Sequence, residues 1–205
     1  AFKKYRLLKK YSGFLCKLGD YTATGGFVSS VLETFTASAY CPRDLATESN
    51  QPDDVLTIDD LYRDAEKAKL LIPDVMKQIC RWANEVLTRD GQEAISFKKS
   101  FDIPLNLKKP EAAEEKIKWE KEGLAHRVSD VCRARYIIDD PHQLAALCAV
   151  IEICNQYALE LPHGARVSKA ENRIKKPTLN NLMDMKSVIN IPLPGENGRW
   201  HSCEL

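Results

Sequence analysis

Residues 128–144 read VSDVCRARYIIDDPHQL, and this stretch decides the fold. Its first part, 128–138, is dominated by apolar and β-prone side chains, which predicts a strand. Pro141 suits the first turn of a helix that we expect to extend to residue 157, with the corner at Asp139 and Asp140 as its cap. A strand followed at once by a helix indicates a sheet covered by helices on at least one face.

The C-terminal part of the chain continues this alternation of helix and strand. A charged helix is expected at 111–121, and further strands are expected at 166–174 and 187–193. The sequence PGENG at 194–198 predicts a hairpin connection into a last strand at 199–205. We therefore predict an α/β (α+β) fold in which a mixed central sheet is flanked by helices.

Residues 1–100 read as a mainly helical extension that precedes a core at 101–205. Thr57 and Asp60 resemble a capping box that opens a helix ending at Leu71. Pro73 suits the first turn of a separate helix. The segment 41–55 is rich in Pro, Ser, Asn and Asp, which predicts a loop. The helices expected in this half span residues 5–18, 27–40, 57–71 and 73–88.

Composition limits the function classes that the chain can serve. The formal net charge is +1, so no overall field draws the chain to nucleic acid or membrane, and polyanion binding requires a local basic patch. No run approaches the ~18 apolar residues that span a bilayer. The seven cysteines form no Cys-x-x-Cys pair, which argues against a structural metal and favours a reducing compartment such as the cytoplasm.

Two acidic residues lie in or beside apolar, β-prone runs. Asp130 opens the run at 130–140, and Glu204 closes the last strand. A carboxylate that points from a buried sheet is costly unless it is paired or binds a cation. On neighbouring strands the two acids would make a Mg²⁺ site for nucleotide phosphates, whereas the alternative is a pair of solvated strand-end acids.

Basic residues accompany these acids, and common nucleotide-binding motifs are missing. The sequence has no Gly-rich phosphate loop, no Gly-x-Ser-x-Gly and no His-Glu-x-x-His. Phosphoryl transfer requires cations around the phosphates, although each basic residue taken alone also fits a solvated surface charge. Arg133 and Arg135 share one strand face, so they would point away from a site faced by Asp130 unless a bulge or a strand start intervenes.

Three segments, taken in order, resemble the synthetase domain of the RelA/SpoT family, whose members make guanosine or adenosine alarmones. The first is the basic stretch at 108–117. The second, at 128–144, is similar to the pattern D-[IVL]-x-R-[AG]-[RT]-[IV]-[IV]-x-D-x-P-x-Q-L of the family's divergent branches. The third begins at Asn172, passes through Lys176-Pro177-Thr178 and ends on the strand at Glu204.

The resemblance implies a nucleotidyltransferase-like fold and transfer of pyrophosphate from ATP to the 3′-hydroxyl of a guanine or adenine nucleotide. Asp130 and Glu204 would be the catalytic residues, and they would hold Mg²⁺. The side chains that would bind the phosphates of ATP are Lys108, Lys109, Lys116, Arg133 and Arg135. The side chains placed toward the acceptor are Lys175, Lys176, Asn181, Leu182, Asp184 and Lys186.

The chain departs from the family pattern at Asn181 and Leu182, where the family has Gly-Tyr and the Tyr ring stacks on the acceptor base. Leucine offers no π-system, which leaves the acceptor and the retention of activity open. Two alternatives follow. One is a toxin of the same fold that pyrophosphorylates the 3′ end of tRNA, and the other is a degenerate module that binds a nucleotide or a protein.

Further expectations concern partners and location. We expect no membrane partner, and action in the cytoplasm, or in the cytoplasm of a target cell if the chain is exported. Residues 1–100 would regulate the core, dock a partner or bind a tRNA acceptor, and the chain would have a regulatory protein partner or form a homo-oligomer. The family's Gln after the catalytic Glu would fall beyond Leu205, so we expect the core to be truncated at its C-terminus.

Overall fold

The computed structural model describes residues 51–102, 107–172, 185–196 and 198–205. The helices expected at 5–18 and 27–40 lie outside the described residues, as does most of the loop expected at 41–55. The described elements, in chain order, are α1 (Ile58–Arg89), α2 (Phe97–Ser100), β1 (Phe101–Asp102), α3 (Pro110–Glu120), β2 (Arg135–Tyr136), α4 (Pro141–Gln156), β3 (Arg166–Asn172), β4 (Met185–Pro192) and β5 (Trp200–Glu204).

Helix α1 begins with the capping box that the sequence predicts. The Thr57 side chain accepts from the backbone N–H of Asp60, and the Asp60 side chain accepts from the backbone N–H of Thr57. The predicted break before Pro73 is wrong, because one helix of 32 residues runs through it. Proline removes a helix hydrogen bond, but Ile72 and Met76 beside it are fully buried, so packing keeps the two halves continuous.

The strand predicted at 128–138 is much shorter in the structure. Only β2 is a strand there, and it pairs antiparallel with β1. Arg133 adds an isolated parallel bridge to Glu204. The chain bends at residues 131–132, so side-chain alternation does not extend from Asp130 to the two arginines. The predicted α4 is confirmed, and the Asp140 carboxylate caps it by accepting from the backbone N–H groups of His142 and Gln143 at 2.9 Å.

Strands β3, β4 and β5 form an antiparallel sheet in that order. A turn joins β4 to β5, and Gly195 in that turn has a φ of 76°, a backbone conformation that glycine adopts without strain. The α+β class is therefore confirmed for the described residues, which include three long helices. The predicted mixed sheet is wrong there, because strands that follow one another along the chain pair antiparallel.

The sheet has one apolar and one polar face. Ile189, Ile191 and Cys203 are fully buried in one hydrophobic cluster with side chains of α1 and α4. On the other face, the register sets Asn190 opposite Ser202 and Val188 opposite Glu204. Because side chains alternate along a strand, Lys186, Asn190, Ser202 and Glu204 share this second face with the apolar Val188, and this face carries the candidate site.

A search of the described residues for a helix with the length and apolar character of a membrane span found none.

Candidate functional site

Asp130 is held in place by two lysines from the chain that precedes it. The Asp130 Oδ2 atom accepts from Lys108 Nζ at 3.0 Å and from Lys116 Nζ at 2.8 Å. Lys116 lies on α3, while Lys108 lies just before that helix and donates its backbone N–H to the Val131 carbonyl at 3.0 Å. The hydroxyl of Tyr62, on α1, donates to the Lys108 carbonyl. Four segments therefore converge on the region of one carboxylate.

The environment of Asp130 favours its ionised form. The residue is only 7% exposed, and burial alone would raise the pKa of the carboxyl. Hydrogen bonds and charges from Lys116 and Lys108 outweigh burial and hold the pKa below its ordinary value. The second oxygen, Oδ1, is buried and has no hydrogen-bond partner among the described residues. Asp130 thus combines a stable negative charge with an unused acceptor oxygen.

Glu204, the second acid of the candidate site, is also ion-paired with a lysine. Lys186 Nζ lies 2.6 Å from Glu204 Oε2, and the pair joins neighbouring strands β4 and β5 on the polar face of the sheet. The backbone of Glu204 is fixed from the other side, because its N–H donates to the Cys132 carbonyl and its carbonyl accepts from the Ala134 N–H, both at 3.0 Å. The segment that follows Asp130 therefore lies directly against the strand that carries Glu204.

A cavity of about 150 Å³ lies beside these two ion pairs, although neither Asp130 nor Glu204 is among its lining residues. Both Lys116, the partner of Asp130, and Lys186, the partner of Glu204, line it. We call it the basic pocket; its lining residues are Lys116, Lys121, Arg127, Ser129, Lys169, Glu171, Lys186 and Val188. Five cationic side chains and one carboxylate line this pocket. Four of the cations are each paired with an acid, so an anion with several charged oxygens would compete with those acids for them.

The basic pocket includes cations that the sequence did not single out. Lys121 follows α3, Arg127 precedes the segment of Asp130, and Lys169 lies on β3. Lys169 pairs with Glu171 at 2.6 Å across one strand face. The sequence carries no clear signal for Lys169, because its stretch, Ser168-Lys169-Ala170-Glu171-Asn172, is almost entirely polar and shows no apolar-polar alternation.

Other predicted residues lie away from the basic pocket or outside the described residues. Arg135 is exposed on β2, where its guanidinium pairs with Asp102 at 2.6 Å. Arg133 and Lys109 are exposed as well, and neither lines the pocket. Lys108 contacts Asp130 but is not part of the lining. The acceptor-side predictions that lie outside the described residues are Lys175, Lys176, Asn181, Leu182 and Asp184.

The donor chemistry of the two acids fits magnesium. Carboxylate oxygens are hard ligands, and Mg²⁺ is commonly held by one or two carboxylates together with substrate phosphates. Asp130 Oδ1, which is buried and has no hydrogen-bond partner among the described residues, would be one such ligand. A group of three or more His, Cys, Asp or Glu side chains with metal-binding geometry is not found in the described part of the chain, so phosphate oxygens and water would complete the coordination.

Comparisons with known proteins do not identify the family. No protein-family model matches the chain, and no curated protein or solved structure matches it either.

Proposed function

We propose that the chain is a Mg²⁺-dependent pyrophosphokinase that transfers pyrophosphate from ATP to the 3′-hydroxyl of a guanine or adenine nucleotide. The observation that carries this proposal is the shared pocket. The lysine partners of Asp130 and Glu204, which lie far apart in the sequence, line one small basic cavity. The same two acids are those that the RelA/SpoT resemblance assigns to metal binding, and the proposed nucleotidyltransferase-like fold rests on that resemblance.

The size of the basic pocket limits which part of a nucleotide it would hold. Sites for whole small molecules usually enclose about 300–1,000 Å³. At about 150 Å³, the basic pocket has room for phosphate groups but not for a base and ribose as well. We therefore assign the pocket to the polyphosphate chain of the donor, and the nucleoside would lie outside it.

The lysines would have two tasks in such a site. In the structure, Lys116 and Lys186 neutralise the two carboxylates. If the carboxylates bind a divalent cation, these ammonium groups become available to phosphate oxygens in the same pocket. A bound Mg²⁺ would supply charge neutralisation at the transferring phosphoryl groups. Glu204 would also accept the proton of the attacking hydroxyl, as the resemblance implies.

A transfer assay tests the function directly. Purified protein is incubated with Mg²⁺ and ATP labelled in the β and γ positions, with GDP, GTP, AMP, ADP or deacylated tRNA as acceptor. Label moving to a free nucleotide supports the proposal, and label moving to tRNA identifies a toxin of the same fold. Binding of ATP without transfer to any acceptor would contradict an enzymatic role.

A second candidate is a binding module without catalysis. It is favoured by the fact that both carboxylates are already ion-paired, as in a purely structural network. In such a module the basic pocket would hold a nucleotide phosphate and the acids would only position the lysines. Unchanged ATP affinity on addition of EDTA would favour this reading, whereas the enzyme requires the cation for tight binding of ATP.

We predict that Lys169→Gln weakens ATP binding about tenfold, because a charge-assisted hydrogen bond to phosphate contributes roughly 1.5 kcal/mol. Lys77→Gln is the matched control, since Lys77 is also an exposed lysine paired with a nearby acid, Asp74 at 3.1 Å, but does not line the pocket. Isothermal titration calorimetry at low salt measures both affinities. Equal dissociation constants for ATP in the two variants would show that Lys169 does not contribute to ATP binding.

A further inference from the structure

Gln51 is a buried amide whose hydrogen-bonding groups are all used. It is 1% exposed. Its Nε2 donates to the Val128 carbonyl at 2.9 Å and to the Ser202 carbonyl at 3.0 Å, and its Oε1 accepts from the Ser202 N–H at 2.7 Å. Its backbone N–H donates to the His126 carbonyl at 2.8 Å. Nothing in its local sequence indicates this role, because it lies in a segment that reads as a loop.

The two backbones that Gln51 joins are those that carry the candidate metal ligands. Val128 lies two residues before Asp130, and Ser202 lies two residues before Glu204. Two residues span at most about 7 Å of chain, so the amide is attached close to both carboxylates. The side chain therefore connects the same two segments that must stay in register for the acids to act together.

The Gln51 amide joins the two backbones at Val128 and Ser202, where the described residues show no direct hydrogen bond between them. Nearer the acids, the segments are joined directly through the bonds of Glu204 with Cys132 and Ala134. At Val128 and Ser202 the Gln51 amide bridges the segments instead, and it makes both bonds to Ser202 that a neighbouring strand would make. The Ser202 hydroxyl extends the contact to Asn190 Oδ1 at 2.7 Å, which ties the link to β4.

We propose that Gln51 is a positioning residue that fixes the separation of Asp130 and Glu204 for binding a divalent cation. The proposal rests on the proposed function, because it assigns the acids to one cation. An amide is required, since only an amide presents two donors and one acceptor in a single plane. A carboxylate at this position would repel the two carbonyls, and an apolar side chain would leave three backbone groups without partners.

The test uses Gln51→Met and Gln51→Glu in the full chain, with Asn84→Leu as the control. Asn84 makes a comparable bridge, to the N–H and carbonyl of Ile95 at 2.6 and 3.1 Å, but on α1 and remote from the acids. Amide hydrogen exchange is followed at Glu204 and Ala134 and compared with exchange in α4. In parallel, Mn²⁺ binding is measured by electron paramagnetic resonance with a non-hydrolysable ATP analogue.

We expect both Gln51 variants to lose at least about tenfold more protection at Glu204 and Ala134 than in α4, and to bind Mn²⁺ at least about tenfold more weakly. The Asn84 variant should show neither change. Loss of protection spread evenly over the fold, or wild-type Mn²⁺ affinity in both Gln51 variants, would overturn the proposal. If the wild-type chain itself binds no Mn²⁺, the proposed function fails, and exchange alone then decides whether Gln51 holds the two segments.

Discussion

Replacing Glu204 by glutamine should lower pyrophosphate transfer more than about 100-fold while leaving the protein folded. The substitution keeps the shape of the side chain but removes the charge that would hold the cation and accept the proton of the attacking hydroxyl. The ion pair that it breaks, with Lys186, is partly exposed, so the free energy of unfolding should change by less than about 1 kcal/mol. Single-turnover rates and urea unfolding measure the two effects.

Asp130→Asn should cause a similar loss of activity with a larger loss of stability. Asp130 is buried between Lys108 and Lys116, and removing its charge leaves two ammonium groups without their counter-ion. We expect the free energy of unfolding to fall by roughly 3 kcal/mol. Activity must therefore be compared at equal folded fraction. The control is Asp74→Asn, which breaks an exposed pair outside the site. A wild-type transfer rate in either the Asp130 or the Glu204 variant would reject the assignment.

Acid should destabilise the protein through His201. This side chain lies on β5, is completely buried, and neither ring nitrogen has a hydrogen-bond partner among the described residues. Burial lowers the pKa of the imidazole to about 3. In the unfolded chain the pKa is about 6.5, so the unfolded state takes up the proton first as the pH falls.

The sign and the pH range of this effect follow from the two pKa values. Because the folded pKa is depressed, stability is complete above about pH 6.5 and declines as the pH falls toward 3. The loss is about 1.4 kcal/mol per pH unit, so it reaches roughly 3 kcal/mol at about pH 4.5 and is on the order of 5 kcal/mol in total. The lowered pKa of Asp130 adds its own loss only below about pH 4.

His201→Leu should remove most of the loss of stability between about pH 7.5 and pH 4.5, as measured by urea unfolding at the two values. His163→Gln is the control, since His163 is exposed and pairs with Asp74 at 3.2 Å. An unchanged pH dependence in the His201 variant would show that the imidazole is not held neutral. The absolute stability of the variant does not enter this comparison, because only the difference between the two pH values is used.

Features set by local chemistry could be predicted from the sequence. The capping box at Thr57, the cap at Asp140 and the hairpin turn around Gly195 each depend on a few adjacent residues. The break expected at Pro73 was wrong because tertiary burial of Ile72 and its neighbours outweighs the lost hydrogen bond. The strand at 128–138 was overestimated because its apolar residues serve packing without forming a ladder.

The candidate site was predictable only in part, because several of its residues acquire their roles through contacts between distant segments. Asp130 and Glu204 stand out because an acid in an apolar run requires an explanation. Their lysine partners are supplied by other elements, and the pairing of Lys186 with Glu204 depends on strand register. Lys121 and Gln51 carry no sequence signal, since each acquires its role only when distant segments are brought together. Part of the acceptor side also lies outside the described residues.

The measurement that tests the central claim most directly is a Mn²⁺ titration followed by electron paramagnetic resonance, in the presence of a non-hydrolysable ATP analogue. It compares the wild-type chain with Asp130→Asn, Glu204→Gln and the double variant. If both acids hold one ion, each single substitution should weaken binding at least about tenfold, and the double variant should lose much less than the sum of the two. Wild-type Mn²⁺ affinity in either single variant would contradict a shared site.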